Sequence, residues 1–329
     1  MPSLKLKRVA ALLFPPSLFG FVQRLNKRFK IWRGKYRVAK TLSELDREIA
    51  TIDRADDVDV QLQLMSELVF DPGWQFPADP ESPEYRQAIM DFYRVYSGRD
   101  LYDSSVNEQF EAPEGSQSPH RPFPYITGSS QIVGEHLMAI GFLMQAMRPR
   151  PGMTVLEFGP GWGNTTIDLA RMGCQVTAVD VNPFYLELIR QRCQTLELDV
   201  ELARSDMLNF RPAKRFDRIL FFECFHHCSD PIRMLRQADE MLAPGGTIVF
   251  AAEPITPDFP IPWGLRTDGQ SAYQIRKRGW LELGFNQHFF ESLLARHGWH
   301  VERLQSYDQL RVSVFLASRQ AARSQSRAA

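Results

Sequence analysis

The sequence is poor in cysteine, and its four residues of this type, Cys174, Cys193, Cys224 and Cys228, fall close together. So few thiols exclude a disulfide scaffold and fit a reducing, cytoplasmic compartment. Long apolar runs are missing as well. None reaches the roughly 18–20 residues that a membrane-spanning helix requires, which excludes an integral helical membrane protein. Net charge is also absent, with 39 Lys+Arg against 39 Asp+Glu, yet the balance is uneven along the chain. Met1–Lys40 holds eleven Lys or Arg and no acid, whereas from Thr41 to Pro119 eighteen acidic residues face five Arg. The segments, not the total, therefore bear on partners. What is plentiful is apolar side chain, 44% of 329 residues, which supports a packed core and excludes a mostly disordered chain. That length accommodates one large or two smaller domains.

Residues 1–40 form a basic amphipathic segment. Between Leu4 and Val38 it mixes Lys and Arg with Leu12, Phe14, Phe19, Phe21, Phe29 and Trp32, and Pro15-Pro16 break it. With no small-residue cleavage site after a short apolar stretch, it does not read as a secretory signal. Two readings stay open: attachment to an anionic membrane surface, or a basic arm packed on the acidic region that follows. In residues 41–120, Leu42, Leu45, Ile49 and Ile52 recur at helical spacing with Ser43 as cap. Further helices are expected over Gln61–Phe70, ended by Asp71-Pro72-Gly73, and over Pro83–Tyr96, followed by Gly98. Glu111–Pro124 has the composition of a linker. Residues 41–120 thus read as a helical, acidic accessory region.

From Tyr125 onward strands and helices alternate. Apolar runs at Thr154–Phe158, Gln175–Val179, Val200–Ala203, Arg218–Phe222 and Gly246–Ala251 predict strands. Helices are predicted over Ser129–Met147, Asn164–Met172, Pro183–Leu196 and Pro231–Leu242. Such alternation implies an α/β fold with a parallel sheet, whose ligands bind at the carboxyl ends of the strands. The first strand opens into Gly159-Pro160-Gly161-Trp162-Gly163, where glycines allow a tight turn and close backbone approach to a ligand. The spacing is G-x-G-x-G, not the dinucleotide G-x-G-x-x-G, so the turn alone is also compatible with no ligand. The next strand ends in Asp180, an acceptor for ribose hydroxyls, and the third is followed by Ser205-Asp206-Met207.

These residues, with Phe216-Asp217-Arg218-Ile219 and Leu242-Ala243-Pro244-Gly245-Gly246, resemble the class I S-adenosylmethionine-dependent methyltransferases over Gln131–Ala317. The resemblance implies a seven-stranded Rossmann-like sheet, mostly parallel with an antiparallel last strand. Trp299–Gln305 and Arg311–Ala317 would form its terminal hairpin. The domain would occupy residues 121–329, with an acceptor-loop insertion at 254–287. By the same resemblance S-adenosylmethionine is the cofactor. Glu157 and Gly159 would hold its amino-acid end, Gly161 and Gly163 complete the turn, and Asp180 takes the ribose. Asp206 and Met207 would flank the adenine, with Phe222 and Glu223 near the sulfonium.

Methyl transfer from a sulfonium needs mainly alignment, plus a base when the acceptor is a hydroxyl. His226, His227 and Glu253 are the candidate bases, although each histidine also reads as a hydrogen-bonded structural residue. Cys224, His226, His227 and Cys228 lack zinc-ligand spacing, so no metal is expected. Candidate acceptor contacts are Tyr125, Trp263, Arg266, Tyr273 and Arg276, a mixture of aromatic and charged groups suited to a polyol or an anion. This combination is similar to bacterial methyltransferases associated with cell-surface polysaccharide assembly. It points to O-methylation of a sugar or glycan hydroxyl by a cytoplasmic enzyme, peripheral at the inner membrane face through residues 4–38. Alternatives are a small aromatic, quinone or lipid acceptor, met by Phe259, Ile261, Trp263 and Phe285, or a non-catalytic S-adenosylmethionine-binding scaffold. No nucleic-acid partner is expected, since the basic arm is short and apolar.

Overall fold

The computed structural model describes residues 36–109, 119–306 and 312–319. The basic segment up to residue 35 and linker residues 110–118 lie outside the described residues.

In chain order the elements begin with β1 (Arg37–Ala39), α1 (Leu42–Asp53), α2 (Val58–Ser66), β2 (Leu68–Phe70), α3 (Pro83–Ser97) and α4 (Ser104–Asn107). There follow α5 (Ser130–Met147), β3 (Thr154–Phe158), α6 (Asn164–Arg171), β4 (Gln175–Asp180), α7 (Pro183–Leu196), β5 (Val200–Arg204) and β6 (Phe216–Phe222). Next are α8 (Pro231–Met241), β7 (Leu242–Ala251), β8 (Ile255–Thr256), β9 (Trp263–Leu265), α9 (Gly269–Arg278) and β10 (Leu283–Asn286). The chain closes with α10 (Gln287–Arg296), β11 (Trp299–Gln305) and β12 (Ser313–Arg319). No described helix is long and apolar enough to cross a membrane.

Two compact units share these elements. One comprises Phe110–Phe225, Arg233–Glu253 and Glu291–Ala329. Its seven-stranded sheet has the order β11-β12-β7-β6-β3-β4-β5. The strands from β5 to β7 are parallel, while β12 runs antiparallel to both β7 and β11. This is the α/β sheet expected from the strand–helix alternation. Strands buried on both faces read as unbroken apolar runs because neither face meets water. On one face Leu143 and Met147 of α5 pack with Val155, Val176, Leu220 and Val249. Elsewhere Phe158, Phe221 and Phe250 stack ring on ring across three neighbouring strands, 5.3 and 5.5 Å between centroids.

The other unit comprises Met1–Gln109, His226–Ile232 and Pro254–Phe290. The expected acceptor-loop insertion is thus not a lone loop. It forms a small sheet, β8-β10-β9, and helix α9, which pack with the accessory helices. Helix α1 is capped by Thr41, not Ser43: the Thr41 hydroxyl accepts from the Glu44 amide while the Glu44 carboxylate reaches back to the Thr41 amide. That reciprocal pairing satisfies two end donors, whereas a cap at Ser43 would satisfy one. The helix expected over Gln61–Phe70 is also corrected. Asp57 caps α2 early, and Leu68–Phe70 leaves the helix to pair in parallel with Arg37–Ala39. Pairing buries Leu68, Val69 and Phe70 together, which outweighs their helical spacing. Helix α3 matches its signals: Ser82 as cap, Pro83 in the first turn and Gly98 left-handed at the end. Its stripe Tyr85, Ile89, Phe92, Tyr93 and Tyr96 is fully buried.

Candidate cofactor and active site

The glycine turn leaves β3 with Gly159 at φ 57, where a β-carbon would stand 2.1 Å from Sγ of Cys224. Only glycine fits that position. An added β-carbon at Gly161 would meet nothing within 4 Å, so open space lies over the middle of the turn. The Gly161 amide donates to Oδ2 of Asp180 at 3.4 Å, and Asp180 Oδ1 accepts from the Asn182 amide at 2.8 Å. The carboxylate at the end of β4 thereby steadies the turn at the end of β3. Asp180 is itself 6% exposed.

Side chains that sequence reading did not single out hold the turn from behind. Nη1 of Arg192 donates to the Trp162 carbonyl and, at 3.0 Å, to Oδ1 of Asn164. Because arginine only donates, this contact fixes which end of the Asn164 amide is oxygen. Asn164 Nδ2 then donates to the Phe123 carbonyl at 2.7 Å and to Nε2 of His136 at 3.1 Å. His136 is therefore an acceptor at Nε2, with its proton on Nδ1. Burial lowers its pKa, in the same direction. Its ring stands edge-on to Phe222 at 6.0 Å. Nothing in local spacing marks His136 or Arg192; only the helix packing brings them to the turn.

Glu157, 1% exposed, has its carboxylate taken up by the hydroxyls of Thr165 and Thr166 in the first turns of α6. Burial, reinforced by the Asp180 charge, pushes its carboxyl up to about 7 against the two hydroxyls that lower it. Asp206 closes its own turn, accepting from the amides of Leu208 and Asn209 at 2.9 and 3.0 Å, with Met207 partly buried beside it.

The ends of β6 and β7 carry two carboxylates. Glu253, 4% exposed, accepts from the amides of Cys224 and Phe225 at 2.8 and 2.7 Å. Glu223 is exposed to solvent at φ 51, and Ala252 sits at φ 55 after β7. Left-handed backbone at non-glycine residues costs energy and persists where surrounding structure imposes it. Here the Glu223 amide donates to the Ala251 carbonyl and the Ala252 amide to that of Ser313, at 3.0 and 3.1 Å. Protein crowding, and secondly the Glu253 charge, raise the Glu223 carboxyl to about 7 although its surface stays wet. Tyr125, also in this unit, is 41% exposed.

The remaining candidates belong to the helical unit. Trp263 is 1% exposed and donates through Nε1 to the Pro80 carbonyl at 2.8 Å. Arg266 pairs with Asp268 and Glu282, Arg276 with Asp46, and the Tyr273 hydroxyl donates to Asp53. His226 lies 3.9 Å from Glu282 and His227 3.3 Å from Glu108.

Residues 155–246 match the family model of a methyltransferase domain. Among curated relatives, a ubiquinone biosynthesis O-methyltransferase of Xanthomonas campestris is 30% identical over 109 residues, 32% of this chain and 46% of that protein. A demethylmenaquinone methyltransferase of Tropheryma whipplei is 37% identical over 99 residues, 30% of this chain and 41% of that protein. The chain thus spans less than half the length of these relatives. A solved structure, the N-methyltransferase NodS from Bradyrhizobium japonicum with S-adenosyl-L-homocysteine, aligns over 67% of this chain and all of that one, with 19% identity and TM-score 0.43. The stretch that matches a methyltransferase domain is the one that carries the glycine turn and Asp180.

Proposed function

We propose that the protein is an O-methyltransferase that acts on a hydroxyl of a sugar or glycan. The residues present fit S-adenosylmethionine: open space stands over Gly161, and a nearly buried carboxylate closes the neighbouring strand end. When bound, this cofactor supplies a methyl group on a sulfonium, which needs little further activation. Asp180 would accept hydrogen bonds from the ribose hydroxyls, and the amides of the glycine turn would face the polar end.

The observation that carries an oxygen acceptor is Glu223. A hydroxyl must lose its proton as its oxygen is methylated, and Glu223, at the carboxyl end of β6 with its pKa raised, is placed and matched for that task. Glu253 fixes the backbone that presents it, through the Cys224 and Phe225 amides. For a polar acceptor, the support is what the aromatic residues do. Phe285, which only an apolar acceptor pocket would use, is 1% exposed and packed into the core of its unit, and Trp263, a candidate contact under either reading, is equally buried. Arg266, Tyr273 and Arg276 are partly exposed, each engaged by a carboxylate of its own unit. Residues 4–38 would hold the enzyme at the inner membrane surface, near lipid-linked glycans.

A second reading, a quinone or aromatic acceptor, is favoured by the names of the relatives, a ubiquinone biosynthesis O-methyltransferase and a demethylmenaquinone methyltransferase. Label transfer from S-adenosylmethionine separates the two. Glycosides and lipid-linked sugars should accept label and catechol-type quinone precursors should not; transfer to the latter alone overturns the glycan assignment.

A further inference from the structure

Within the helical unit, two adjacent histidines and a glutamate distant in sequence converge. One ring nitrogen of His226, one of His227 and a carboxylate oxygen of Glu282 all lie within 4.8 Å of one another. The imidazole rings are 4.2 Å apart between centroids, and Nε2 of His226 stands 3.9 Å from Oε2 of Glu282. That separation is too long for a hydrogen bond. It is close to the spacing of two ligands around a tetrahedral ion, about 3.4 Å for metal–ligand bonds near 2.1 Å. His226 and Glu282 are 8% and 7% exposed, so the cluster is sheltered from bulk water.

A second layer of contacts supports this arrangement. Oε2 of Glu108 is 3.3 Å from Nδ1 of His227. Oε1 of Glu108 accepts from the Leu281 amide at 2.8 Å and lies 2.9 Å from the Tyr102 hydroxyl, which is also 3.0 Å from the His227 carbonyl. A carboxylate hydrogen-bonded to one nitrogen of an imidazole orients a metal-bound histidine. Glu108 is within ion-pair range of Nδ1 of His227 without hydrogen-bond geometry, so a small rotation would complete the contact. Set against this, Nη1 of Arg266 is 3.4 Å from the same Glu282 oxygen. Arg266 also pairs with Asp268 at 3.0 Å, so the guanidinium has a second carboxylate to hold when a metal takes Glu282.

We propose that His226, His227 and Glu282 bind a divalent transition-metal ion, Zn²⁺ foremost, with Glu108 orienting His227 and one coordination position open. Two imidazoles and one carboxylate suit Zn²⁺ better than Mg²⁺ or Ca²⁺, which favour oxygen donors alone. The sequence concealed this set because its third ligand precedes β10, far from the His-His pair.

The test titrates the chelator-treated full-length protein with Zn²⁺ by calorimetry, and with Co²⁺ by visible absorption. One ion should bind per chain, with cobalt d–d bands of a low-symmetry nitrogen–oxygen site. Glu282→Gln should abolish stoichiometric binding, and Glu108→Gln should weaken it roughly 10–100-fold. Arg266→Gln should tighten it, because arginine and metal compete for one oxygen, and this outcome is not that of a misfolded variant. His288→Ala, at an exposed histidine, should change nothing. A wild-type protein that binds neither ion stoichiometrically, or a site that survives Glu282→Gln, overturns the proposal.

Discussion

In the seven-stranded unit the polar residues of the candidate site follow the ends of strands: Gly159 after β3, Asp180 closing β4, Glu223 after β6, Glu253 after β7. In the helical unit the polar cluster has no such rule. Glu108 follows a short helix, His226 and His227 form one turn of 3₁₀-helix, and Glu282 precedes a strand of a small separate sheet. A parallel sheet delivers side chains to one edge because every strand runs the same way. The helical unit has no shared strand direction of that kind and gathers its polar cluster by packing.

The largest expected effect concerns the chemistry of the sheet edge. Glu223→Gln should lower kcat about 10²–10⁴-fold, the range for loss of a positioned base. In the wild type the rate should rise with pH through about 7, since the base acts when deprotonated, and Glu223→Gln should lose that limb. An unchanged pH–rate profile in the variant would place the base elsewhere. The next effect probes the packing-dependent unit. Trp263→Ala empties a fully buried site and breaks the bond to Pro80, so chemical denaturation should show a loss of about 3–5 kcal/mol. If stability is unaffected, the contrast between the two units loses its basis.

A third measurement sharpens the electrostatic side. Burial pushes the Glu157 carboxyl up to about 7, against 4.5 for an ordinary glutamate. The folded state therefore binds the extra proton between those values. The contribution is fully present below pH 4.5 and is lost as pH rises through 7. Relative to Glu157→Gln, the wild type should lose roughly 3 kcal/mol over that interval, read from unfolding curves at a series of pH values. A parallel pH dependence in both proteins contradicts the assignment. The smallest effect is on binding. Asp180→Ala removes a charge-assisted partner worth roughly 1.5–3 kcal/mol, so S-adenosylmethionine affinity should fall about 10–150-fold by calorimetry.

Much of the sheet was legible because its strands are apolar on both faces and its helices carry their own caps. Thr154–Phe158 and Pro183–Leu196 have the bounds expected from sequence. The misread segment, Gln61–Phe70, fails for a physical reason. Leu62, Met65 and Val69 fit a helical stripe, but Leu68–Phe70 gains a strand partner at Arg37–Ala39 that no local window reveals. In the same way, the Thr165 and Thr166 hydroxyls on Glu157, and the chain Arg192–Asn164–His136, depend on which helix lies against which strand.

The alternation of strands and helices, the glycine turn and the carboxylates that follow the strands were settled by the sequence itself, because periodicity and turn chemistry act over a few neighbouring residues. Tertiary structure alone decided where the Pro254–Phe290 segment belongs, which aromatic residues became core, and that Glu282 meets His226 and His227. Those outcomes rest on burial shared between segments far apart in the chain, and short-range pattern carries no record of that.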